Sequence, residues 1–116
     1  MAAKLNQRGF DHAKKLVEAG KVVLDERDDW SEHQPTAARE NEFISEHGMD
    51  EYARWHLGVD SSHGEEAKAR YKFPYGDFAD VHRCGVIAAE VRAAQQDYTD
   101  IEVAAAHLHG MLDARR

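Results

Sequence analysis

The chain has 116 residues, 42% of them hydrophobic and 32% charged, and a formal net charge of −7. That length supports one core rather than two, and the composition, with only two prolines, excludes a disordered polyelectrolyte. No apolar run approaches the roughly 20 residues that cross a bilayer, so one domain over residues 1–116 with no membrane partner is expected.

The sign of the charge is unevenly placed, at +3 over residues 1–24, −10 over 25–66 and 0 over 67–116. An acidic middle third disfavours phosphate backbones, which argues against nucleic acid as a partner. The stretch MAAKLNQRGF lacks the apolar middle of a signal peptide, and the single Cys84 cannot form an internal disulfide. A reducing cytoplasm is the expected location.

In chain order, Phe10, Ala13, Leu16 and Val17 recur at helical spacing and predict a helix from Phe10 to Ala19, stopped by Gly20. Val22, Val23 and Leu24 precede a charged cluster and predict a short strand. A second helix is expected from Pro35 and Thr36 to His47, ended by Gly48. The segment Met49 to Asp60 fits a helix by Met49, Tyr52, Ala53 and His56, and a strand by the alternation of Trp55, Leu57 and Val59. Strand is preferred, because Tyr71, Phe73 and Tyr75 alternate in the same way and would give an antiparallel pair, with Pro74 at its end.

The C-terminal third reads as a helical hairpin. Val81, Cys84, Ile87, Ala88 and Val91 share one face of a helix over about Phe78 to Gln96, and Ile101, Ala104, Ala105, Leu108 and Leu112 share one face of the next. Thr99 to Glu102, TDIE, has the pattern of a capping box. Gly85, Ala89 and Ala93 form a small-residue stripe that suggests close approach by another element. The expected fold is therefore α+β: a mostly helical single domain with a small antiparallel strand pair and a C-terminal helical hairpin.

Eight histidines raise the question of a metal, but no HxxxH, ExxH or CxxC spacing is present, and His107 and His109 point about 200° apart on a helix. A non-local site drawing on His33, His47, His56 or His63 with Glu42 or Glu46 stays open, while the spacings themselves give no metal ligand and no cofactor. Cys84 stands near His82, yet positions two apart on a helix do not face each other, and Cys84 continues an apolar stripe. It reads as a small buried hydrophobe rather than a nucleophile. Neither a GxSxG elbow nor a phosphate loop occurs, so no catalytic residue is assigned. Trp30 and Trp55 read as core or boundary anchors.

The densest stretch is KFPYGDFADVHR, Lys72 to Arg83. Asp77 suits an N-cap that accepts from the Asp80 amide, which leaves Tyr75, His82 and Arg83 near a helix start, where basic groups gain nothing from the dipole. These three are the candidate binding residues for a small anionic ligand; the competing reading pairs Arg83 with an acid of the middle third such as Asp50 or Glu51.

The stretches GKVVLDERDDWSEHQP, WHLGVD, KARYKFPYGDFADVHRCGVIAAE and AAAHLHGMLD resemble those of small bacterial proteins to which no activity is attached. The resemblance covers most of the chain and implies no site residues. Taken together, the sequence predicts a small cytoplasmic, non-enzymatic binding or interaction protein, with an unknown protein partner. The alternative is a small enzyme or ligand-binding protein acting on an anionic small molecule at Tyr75, His82 and Arg83.

Overall fold

Helix α1 (Gln7–Glu18) buries Gly9, Ala13 and Val17 along one face, and Gly20, at φ 78°, turns the chain out of it. The computed structural model describes residues 3 to 116. Strand β1 (Lys4–Leu5) precedes the helix and pairs antiparallel with β3 (His56–Val59), which pairs antiparallel with β4 (Tyr71–Pro74). The expected antiparallel pair is β3–β4, and β1 adds a third strand that its two residues gave no pattern to reveal. A second, parallel pair joins β2 (Val22–Val23) to β5 (Val81–His82), with Val22 opposite Val81 and Val23 opposite His82.

Between the strands lie α2 (Trp30–His33), α3 (Ala37–His47) and α4 (Met49–Ala53), followed by a 3-10 turn at Lys68–Arg70. Thr36 caps α3 by accepting from the Arg39 amide at 3.1 Å, and Gly48, at φ 88°, separates α3 from α4. The ambiguous segment thus divides, with helix to Ala53 and strand from His56. His56, Leu57 and Gly58 are all buried because β3 is the central strand, so the expected alternation is erased. Gly58 lets the layers meet: a Cβ there would lie 2.7 Å from the Phe73 ring and 3.2 Å from Ile101.

Helices α5 (Arg83–Gln95) and α6 (Thr99–Asp113) form the expected hairpin and pack against the sheet. Two details differ from expectation. Helix α5 begins at Arg83 and not at Phe78, because Phe78 has φ 71°, outside any right-handed helix, and the Asp77 amide donates back to the Asp80 carbonyl. Asp77 does accept from the Ala79 and Asp80 amides, at 2.9 and 2.7 Å, but this closes a turn that leads into β5. With Val81 moved onto a strand the helical stripe rotates, and Val91 is 37% exposed instead of buried.

The second difference is at the start of α6, where Tyr98 and not Thr99 is the N-cap residue. Asp97, at φ 60°, makes the turn, and Asp100 spends its carboxylate on the Leu5 amide at 2.8 Å, tying β1 to the hairpin. The small-residue stripe does mark a close approach: a Cβ on Gly85 would lie 2.9 Å from the Trp30 ring and 3.0 Å from the Tyr75 carbonyl. Trp30 and Trp55 are both buried, as anchors should be.

Candidate metal centre

The parallel β2–β5 pair brings two distant parts of the chain together. Past Val23, which lies opposite His82, the backbone runs alongside the start of α5, and this carries Asp25 to Cys84. The Cys84 amide donates to Asp25 Oδ1 at 2.7 Å, and the Arg83 guanidinium donates to the Asp25 carbonyl at 3.2 Å. A turn closed between Glu26 and Asp29 then leads into α2, where Trp30 seats on Gly85. That seat fixes the last residue of α2, His33, beside Asp25.

Four side chains converge: the ligand atoms of Asp25, His33, His82 and Cys84 all lie within 4.8 Å of one another. Asp25 Oδ2 is 2.7 Å from His33 Nδ1, 2.7 Å from His82 Nδ1, and accepts from the Cys84 thiol at 3.1 Å. On its far side His82 Nε2 meets Asp77 Oδ2 at 2.8 Å. Cys84 and His82 are buried and the Asp25 side chain is only 6% exposed, whereas the His33 side chain, at 37%, forms the outer edge.

The electrostatics follow from this packing. Burial pushes the Asp25 carboxyl up, but bonds from the Cys84 amide, His82, the Cys84 thiol and His33 outweigh it and bring the pKa down to about 2. For His82, burial acts to lower the pKa, and Asp77 and Asp25 on either side raise it above its usual value. Burial, then the Asp25 carboxylate, push the Cys84 thiol well above the ordinary thiol range. Such a thiol is a poor nucleophile by itself, and its Sγ lies 3.7 Å from His33 Nδ1, which is directed at Asp25.

A cysteine sulfur that would give up its proton to an ion, two imidazoles and one carboxylate form a donor set suited to zinc and its neighbours rather than to magnesium or calcium. Asp77 adds the outer carboxylate that typically orients a metal-bound histidine. The helix-borne spacings that gave no metal ligand are blind to this set, because its donors come from separate elements. The candidate non-local set contributes only His33. Of the others, His56 is buried with Nδ1 2.9 Å from the Tyr52 carbonyl, His47 packs at a tilt against the Phe43 ring, and His63 lies 4.0 Å from Asp60.

The three binding residues expected from sequence are each engaged. Tyr75 is fully buried, and its hydroxyl donates to the Arg54 carbonyl at 2.6 Å and lies 3.0 Å from His12. His82 is a member of the metal-type cluster. Arg83 pairs through Nε with Asp113 at 2.8 Å, an acid of α6 and not of the middle third. Sequence reasoning assigns no role to Asp25 and only a capping role to Asp77. The one available signal is the His82-x-Cys84 spacing, which an extended residue at His82, φ −98° and ψ 126°, converts into convergence. Comparison of the chain with protein families, with curated proteins and with solved structures finds no match.

Proposed function

We propose that the protein is a small non-enzymatic binding protein whose ligand is a divalent transition-metal ion of the zinc type, held by Asp25, His33, His82 and Cys84. The carrying observation is the convergence of these four donors within 4.8 Å, backed by Asp77 behind His82. Four protein donors fill a tetrahedral ion and leave no position for a substrate or a water, which favours holding the ion over using it in hydrolysis. A thiol ligand must stay reduced, in keeping with a cytoplasmic setting; among the described residues no helix is long and apolar enough to cross a membrane. The alternative, an anionic ligand at Tyr75, His82 and Arg83, has less support, since each of the three already has hydrogen-bond partners within the fold.

Titration of zinc into dialysed protein without a histidine tag should saturate at one ion per chain. It should stabilise the fold by about 2.7 kcal/mol at a hundredfold excess over Kd. Cobalt(II) should give the intense visible bands of a tetrahedral site together with thiolate charge transfer, and Cys84→Ser should remove the latter. Asp77→Asn should weaken zinc by roughly 10–100-fold. Sub-stoichiometric binding, or binding that survives both Cys84→Ser and His33→Ala, would overturn the reading.

A further inference from the structure

An open pocket of about 450 Å³ lies at the C-terminal end of α5, lined in part by Asp60, Lys72, Phe73, Arg92, Gln96 and Tyr98. It shares no residue with the metal-type cluster, and its ligand chemistry is independent of that centre.

Two cations contribute to its lining. Lys72 comes from β4 and Arg92 from the last turn of α5; among the described residues neither head group has a hydrogen bond, and the Asp60 carboxylate attracts Lys72 but not Arg92 at close range. Arg92 suits the negative end of the helix dipole, but that interaction leaves its fork of N–H donors unspent. Asp60, the one acid in the lining, accepts at Oδ1 from the Ser62 amide at 2.9 Å and the Ser62 hydroxyl at 2.6 Å, and its charge also faces His63 and Lys72, so Arg92 is the principal anion-binding group. The apolar wall is aromatic, with Phe73 and Tyr98 edge to face at 6.0 Å and 89°. Phe73 itself has φ 61°, a conformation non-glycine residues seldom adopt and one that recurs at ligand sites.

We infer that this pocket binds a small aromatic carboxylate, its carboxylate held by Arg92 and Lys72 and its ring against Phe73 and Tyr98. The volume falls within the usual range for small-molecule sites. Planar bidentate recognition of a carboxylate is what a guanidinium does best, and the aromatic wall supplies apolar contact that inorganic anions cannot use.

The test is a titration of isotope-labelled full-length protein with benzoate, 4-hydroxybenzoate and inorganic phosphate, monitored through backbone amide resonances. Benzoate or its hydroxy derivative should shift the amides of Lys72, Phe73, Gln96 and Tyr98 saturably, and Arg92→Gln should weaken that binding roughly tenfold. Lys72→Gln should weaken it as well, and Arg92→Gln should melt as the wild type does, since Arg92 is exposed whereas Lys72 is half-buried beside Asp60. Three results would each overturn the inference: no saturable shift up to tens of millimolar, shifts centred elsewhere, or binding indifferent to Arg92→Gln. Phosphate binding as tightly as benzoate at the same amides would overturn the aromatic part of the assignment and leave a general anion site.

Discussion

Asp25→Ala should destabilise the metal-free protein by about 3–5 kcal/mol, the range expected when one partner is removed from a buried charged network. The carboxylate accepts from the Cys84 amide and thiol and faces His33 and His82, so its loss strands several groups at once. Asp25→Asn keeps the volume and should cost less. Denaturant titration of both variants in the presence of chelator measures the difference, and a loss below about 1 kcal/mol for the alanine would mean that solvent already satisfies the cluster.

The same network makes stability depend on pH in a definite direction. Asp25 has its folded pKa lowered from 3.8 to about 2, so its contribution is present above 3.8 and is lost as pH falls through 2. His82 is raised above 6.5, so its contribution is complete below 6.5 and fades as pH rises through the elevated folded value. Zinc affinity should move the other way over that alkaline range, because binding displaces protons from Cys84 and His82. Metal-free stability and zinc affinity should therefore have opposite slopes above pH 6.5, and parallel slopes would count against shared residues.

Leu108→Ala should cost about 2–5 kcal/mol, since Leu108 is fully buried between the hairpin and the sheet. Val91→Ala supplies the contrast: at 37% exposure it should cost about half a kcal/mol or less. The sequence pattern treats these two positions alike. Equal losses in the two variants would mean that α5 is rotated about its axis, with Val91 turned into the core.

That contrast indicates how far the sequence can be read. Long periodic stretches, such as Ile101 to Leu112 and Gln7 to Glu18, carry their own helical signal, and Tyr71 to Pro74 carries its alternation. Of the two-residue strands, Val22–Val23 is marked by its β-branched residues, whereas Lys4–Leu5 and Val81–His82 are too short for a period and exist because partners are present. The start of α5 is hidden for a local reason, the left-handed Phe78, which an aromatic residue does not advertise. The candidate centre is hidden as a direct result. With His82 assigned to a helix, Cys84 faces away from it; with His82 extended, both reach Asp25. Spacing rules for metal ligands presuppose one element, whereas these four donors come from a loop, a short helix, a strand and a helix start.

The parallel pair also constrains the order in which the molecule assembles. It joins Asp25 to Cys84 across 59 positions, and closing a loop of that length costs on the order of 3.6 kcal/mol in chain entropy. Two paired residues on each side cannot offset this alone, so the ladder, the Asp25 cluster and the Trp30 seat on Gly85 must form as one late event, after the β3–β4 and α5–α6 hairpins. An ion gripped only by the finished cluster is then a latch. It should slow the opening rate in stopped-flow unfolding and leave the closing rate nearly untouched, and a faster closing rate with zinc would mean that the cluster is already in place at the barrier.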